Sequence, residues 1–182
     1  WPEGNNPEVV TINFTITNVE TTSFTVTKEW NPDTTTPKPE EVIVGLYRTT
    51  EKTKVGAASG EGFEAVRMTE SVLSSDHLTV DLPDNDGDAW KHTFTGLPKY
   101  DKEGNLYRYY ALELTENSDG TYTPIANNGS IMYDDDSYHV DYDHTADDET
   151  PVDPQSTTIT NTPSTSLSGT KTWKDNSNAY GT

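Results

Sequence analysis

The chain has 182 residues, enough for one domain with a substantial core or for two small ones. Only 30% of them are hydrophobic, threonine is the commonest residue, and Leu and Ala are scarce, a mixture that suits many short, half-buried strands better than helices. A formal net charge of -19 argues against nucleic-acid binding, because phosphates are repelled, while it favours solubility and attracts cations. With no cysteine, disulfides cannot staple the fold.

The abrupt ends at Trp1 and Thr182 read as those of an excised fragment. The absence of a signal peptide, an apolar span or a sorting motif therefore says nothing about the parent protein. In chain order, the first clear element is Phe24-Thr25-Val26-Thr27-Lys28-Glu29-Trp30. Strand side chains alternate faces, so Phe24, Val26, Lys28 and Trp30 share the apolar face. Lys28 then lies among core residues, unless its ammonium snorkels to water from a strand end.

Residues 41–47 read as a core strand, and Leu78 to Leu82 alternates cleanly. Trp90, His92 and Phe94 line one face of another strand. In Tyr107 to Glu113, Tyr109, Ala111 and Glu113 share one face and Tyr110 and Leu112 the other. Periodicity leaves open which face is inside, and a Glu in such a strand is commonly solvated. Turn signals at residues 37–39, 85–88, 96–104 and 117–120 separate these runs. In the last strand, Thr157 to Asn161, Ile159 and Asn161 share a face. Asn161 should point inward, either as an ordinary buried amide or turn cap, or in a chemical role. Short strands with such turns indicate an all-β sandwich.

Thr15 to Trp30 and Thr158 to Trp173 echo each other, with nine of sixteen positions identical at a constant offset of 143. A gapless echo is the mark of a tandem array. It predicts three parts: residues 1–19 as the last strand of a preceding repeat, 20–163 as one complete repeat, and 164–182 as the first strand of the next. Asn18 aligns with Asn161 and Lys171 with Lys28.

Other features are weaker. His139, Asp141 and Asp143 share a strand face in an acidic stretch; a solvated face is the common meaning, but such a cluster also suits calcium. Asp84, Asp86 and Asp88 have calcium-loop spacing but lack the glycine and the later Glu, so a turn is expected. Carboxylates are plentiful, yet no pair or nucleophile motif points to an enzyme. Tyr122, Met132, Tyr133 and Tyr138 would either line a ligand surface or lie buried.

The order of landmarks resembles the Cna protein B-type repeat of Gram-positive surface adhesins and pilins. The carriers are Thr27-Lys28-Glu29-Trp30, Val44 to Tyr47, and Trp90 leading to Phe94 and then Gly96-Leu97-Pro98-Lys99-Tyr100-Asp101. Gly104, Tyr109 to Glu113, and Ile159-Thr160-Asn161-Thr162 complete the order. The resemblance implies an immunoglobulin-like, prealbumin-like β-sandwich, here with two long insertions at 48–89 and 119–154. It also implies an internal amide bond between Lys28 and Asn161, with Glu113 as proton shuttle.

Asn18 and Lys171 would then be orphaned halves of the bonds of neighbouring repeats. The implied role is a stalk or spacer repeat on the cell-wall-anchored surface of a Gram-positive bacterium. It needs no cofactor and is not an enzyme beyond one self-directed turnover. Its expected partners are neighbouring repeats; the terminal strands would either pair head to tail between fragments or, more ordinarily, be disordered or crystal-packed tails. The alternative is an adhesin domain that binds a host or matrix ligand through the insertions.

Overall fold

The computed structural model describes residues 18–31, 38–60, 64–65, 79–83 and 90–164. Its strands, in chain order, are β1 (Thr21–Trp30), β2 (Val42–Thr49), β3 (Glu64–Ala65), β4 (Thr79–Leu82) and β5 (Lys91–Pro98). They continue with β6 (Arg108–Glu116), β7 (Tyr122–Pro124), β8 (Gly129–Tyr133), β9 (Asp136–His144) and β10 (Gln155–Pro163). Two sheets form, one in the order β5-β1-β10-β9-β8, the other in the order β3-β2-β6-β7 with β4 also paired to β2. The fold is the expected all-β sandwich.

The alternation read in the sequence decides which side chains enter the core. Phe24, Val26 and Lys28 of β1 are buried, as are Gln155, Thr157, Ile159 and Asn161 of β10. These two strands pair in parallel, with Lys28 opposite Ile159 and Trp30 opposite Asn161. A parallel pair needs a long crossover, and here the rest of the domain supplies it. From the other sheet, Val44, Leu46, Tyr109 and Ala111 meet this face in one apolar cluster.

The sequence left the two faces of β6 undecided because both are apolar, and both prove to be buried. Its outer face, Tyr110, Leu112 and Leu114, packs with Tyr47 beneath Val55 and Ala58 of the first insertion. Val55 and Ala58 thus cover part of the outer face of the second sheet. The second insertion supplies β7, β8 and β9. One expected turn is placed differently: β5 runs through Gly96 to Pro98. Gly96 takes φ +71° where the pairing with β1 slips between Thr22 and Phe24. The glycine accommodates an extra residue in a bulge instead of ending the strand.

A ladder of side chains sets the register between the sheets. The described part of β7 pairs with β6 only at Leu114 to Glu116, so β6 presents an edge at Tyr109 to Glu113. Inward side chains from the facing sheet satisfy that edge. Tyr109 N–H donates to Gln155 Oε1 (2.7 Å), Ala111 N–H to Thr157 Oγ1 (3.2 Å) and Glu113 N–H to the Tyr142 hydroxyl (3.2 Å). Gln155 returns a bond to the Tyr107 carbonyl at 2.9 Å. Buried backbone donors need such partners, and spacing them every second residue locks β6 against β10 and β9.

Candidate cross-link site

One step beyond that ladder, Glu113 of β6 reaches across to β1 and β10. Lys28, Glu113 and Asn161 are 3%, 0% and 0% exposed, and they meet. Asn161 Nδ2 donates to Glu113 Oε1 at 3.0 Å. Lys28 Nζ stands 3.9 Å from Glu113 Oε2, with neither side chain accessible to solvent. The sequence-level doubt about Glu113 is resolved: it faces the interior of the sandwich.

Aromatic rings roof the lysine. Lys28 Nζ lies 4.1 Å from the centroid of the Trp30 ring and donates to the Glu29 carbonyl at 3.1 Å. Trp30 in turn packs edge-on against Trp90, Tyr133 and Tyr138, at centroid distances of 5.3, 6.3 and 5.4 Å. Burial pulls the lysine pKa from the ordinary 10.5 down to about 8, against the opposing pull of the Glu113 and Glu29 charges and with a smaller push from Lys38. The amine therefore reaches its neutral, nucleophilic form near physiological pH.

Two buried oxygens at the centre, Glu113 Oε2 and Asn161 Oδ1, have no hydrogen-bond partner. Unpaired buried acceptors are costly and mark a site with unspent chemistry. A half-turn of the Asn161 amide exchanges its ends and sets Oδ1 before Glu113 Oε1, the pairing that a protonated carboxyl favours. In one orientation Glu113 accepts from the amide nitrogen; in the other it polarises the carbonyl. A carboxyl between an amine and an amide can do both tasks that amide exchange requires.

Two further contributors are Tyr142, which the sequence did not single out, and Tyr133, which it offered as a ligand-surface or buried residue but did not connect with Glu113. The Tyr133 hydroxyl donates to Glu113 Oε1. Tyr142 accepts from the Glu113 N–H and donates to the Ile125 carbonyl at 2.8 Å. The inward side of β8 was hard to read because Met132, although apolar, points outward and is 59% exposed. Tyr138 is buried, and Tyr122 and Tyr133 are half-buried against the two cores, so these aromatics face inward.

The remaining sequence candidates lie apart. His139, Asp141 and Asp143 share the outer face of β9, with His139 Nε2 3.5 Å from Asp141 Oδ1. Among the described residues no group of three or more His, Cys, Asp or Glu is arranged to hold a metal ion. Asn18 is exposed just ahead of β1. Lys171, and Asp84, Asp86 and Asp88, lie outside the described residues. No helix among the described residues is long and apolar enough to cross a membrane.

Comparison with known proteins gives a family match and several similar structures. Among solved structures, a single B repeat unit of the collagen-binding surface protein of Staphylococcus aureus is 24% identical, over 79% of this chain and 51% of that one, with a TM-score of 0.38. Two B repeat units of the same protein give 23%, 79%, 26% and 0.41 for the same measures. The pilus adhesin SpaC of Lactobacillus rhamnosus GG gives 18%, 79%, 12% and 0.38. This chain thus spans about half the length of the first of these and less of the others. A search of the curated proteins found no match. The model of the Cna protein B-type domain matches residues 24–134, which include Lys28 and Glu113. This chain belongs to the Cna protein B-type domain family.

Proposed function

We propose that this domain is a load-bearing spacer repeat of a bacterial surface adhesin or pilus, displayed from the cell wall and locked by an amide bond that it forms itself between Lys28 and Asn161. The observation that carries the reading is the burial of amine, carboxyl and amide around one point between the sheets. In the reaction the neutral Lys28 amine attacks Asn161 Cγ. The Nζ–Cγ bond forms and the Cγ–Nδ2 bond breaks. One proton leaves Nζ for Glu113 and another passes from Glu113 to Nδ2, so that ammonia departs and the carboxyl ends unchanged. Folding supplies the proximity, worth up to about 7–11 kcal/mol where alignment is good. The site acts once and is consumed, so the domain is not an enzyme in the turnover sense.

The topology explains the value of such a bond. β1 and β10 run parallel side by side, so tension applied through the two ends pulls them in opposite directions along their length. Force entering at Thr21 travels to Lys28, crosses to Asn161 and leaves at Pro163. The roughly 130 residues between are bypassed. Closing a loop of that size stabilises the fold by on the order of 5 kcal/mol on the chain-entropy scale used for disulfides.

Intact-mass measurement tests the reading. The folded chain should weigh one ammonia less than its sequence, and Glu113→Gln and Lys28→Met should each keep full sequence mass. Full mass in the wild-type chain overturns it.

A further inference from the structure

We infer that Tyr133, carried into the site by the second insertion, is a positioning residue that aims the Glu113 carboxyl during bond formation. The inference rests on the cross-link reading and assigns to the insertion a part in the reaction.

The geometry separates the two carboxyl oxygens by task. Oε1 takes hydrogen bonds from the Tyr133 hydroxyl and from Asn161 Nδ2, while Oε2 has no hydrogen-bond partner and faces Lys28 Nζ. A carboxyl free to turn would present either oxygen to either neighbour. With Tyr133 holding Oε1 beside the amide, Oε2 is left to receive the lysine proton, and the neutral carboxyl so formed passes that proton on to Nδ2 as ammonia departs. That division suits a one-way transfer from amine to leaving group.

Tyr133 is built for donation. Burial, followed by the nearby Glu113 charge, holds its hydroxyl well above the ordinary phenol range, so the proton stays on the oxygen. Its ring is fixed against Trp30 and against Tyr138, at 6.3 and 5.9 Å between centroids. β8 itself is held by pairing with β9, Tyr133 opposite Asp136. Side chains whose own packing is locked make effective positioning groups.

The test follows the mass of the full chain with time during cell-free synthesis, for wild type and Tyr133→Phe, across pH 5 to 9. The Phe variant keeps the ring packing and loses only the hydroxyl. Tryptophan fluorescence restricts the rates to folded chain. The same pair of chains carrying Lys28→Met, which cannot cross-link, reports any change in folding alone.

The expected result is that Tyr133→Phe still loses ammonia but about tenfold more slowly, as for removal of one charge-assisted hydrogen bond from a reacting group. The alkaline limb of its rate profile should also move to higher pH, because Lys28 then faces a carboxylate stripped of one donor and holds its proton more tightly. A mere packing defect would not move that limb. A wild-type chain that loses ammonia while Tyr133→Phe does so at the same rate, with the same pH profile, overturns the role of Tyr133 alone. A wild-type chain that retains full mass overturns the cross-link and this inference with it.

Discussion

Lys28 Nζ and Glu113 Oε2 are 3.9 Å apart with both side chains sealed from solvent, a charge contact too long to be a hydrogen bond. A buried pair of this kind is worth little as a stabilising salt bridge, because desolvation offsets the attraction. Its value lies in the proton that the two groups share. In the proposed reaction, moving it from amine to carboxyl would create the nucleophile and the general acid together, and conversion to an amide would then remove both the lysine charge and the primary amide from the core.

If the proposed bond forms, that shared proton should set its pH dependence. The lysine titrates near 8, pulled down mainly by burial. Above that pH the pair has lost its proton, and the amine is free but no acid remains for the leaving nitrogen. The rate should be level around neutrality and fall by about tenfold per pH unit above about 8. Mass spectrometry of chains synthesised at a series of pH values checks it. A rate that instead climbs to pH 8 and then stays flat would show that the amine alone controls the reaction.

The cross-sheet ladder should matter as much as the reacting groups. Gln155 satisfies both the Tyr109 N–H and the Tyr107 carbonyl. Gln155→Leu preserves bulk but leaves the buried Tyr109 N–H unpaired, at about 1–3 kcal/mol, and the part-buried Tyr107 carbonyl without this donor. It also frees β6 to shift relative to β10. The expected outcome is a lower denaturation midpoint in a bond-free Lys28→Met background and slower ammonia loss in the chain that can react. Unchanged kinetics would show that the apolar core alone holds the register.

How much of this was legible in the sequence differs from residue to residue. Lys28 and Asn161 stood out because each interrupts an alternating apolar face, and both are buried where that pattern placed them. Glu113 did not, because both sides of β6 are apolar, the outer one packing against Val55 and Ala58 of the first insertion. Local periodicity cannot see a cover that comes from another part of the chain. Tyr133 was hidden for a related reason: exposed Met132 beside buried Ile131 erased the alternation of β8. Gln155 and Thr157 carry no signal of their own in a Thr-rich strand. Their role depends on an unpaired edge that only the sheet order reveals.

His144 supplies an independent pH signature. It is buried between Tyr142, stacked at 5.4 Å, and Tyr110, edge-on at 5.7 Å, and its Nδ1 lies 2.8 Å from Thr157 Oγ1. Burial lowers its pKa from 6.5 to about 4, against the charges of Asp147 and Asp143. Between those values the unfolded chain binds the proton and the folded chain does not. Stability present above pH 6.5 is therefore lost as pH falls toward 4, by about 3 kcal/mol at 1.36 kcal/mol per unit. Denaturant titrations at pH 7 and pH 4.5 should show this loss, and His144→Gln should reduce it. An equal loss in the variant would assign the acid sensitivity to the carboxylates alone.

The mechanical consequence is the most direct test of the spacer role. Wild-type chain held by its ends and pulled should lengthen only through residues outside the proposed link, since a Lys28–Asn161 bond would short-circuit everything between them. In Lys28→Met the same pull first meets the β1–β10 pair in shear, with its hydrogen bonds loaded together. Once those bonds yield, the intervening chain is released. About 130 residues at about 3.4 Å each add roughly 450 Å of contour length. Single-molecule force spectroscopy should record that step in the variant and not in wild type. A wild-type step of the same length would mean that no covalent path joins the two strands, and that the strength of the domain rests on the parallel ladder alone.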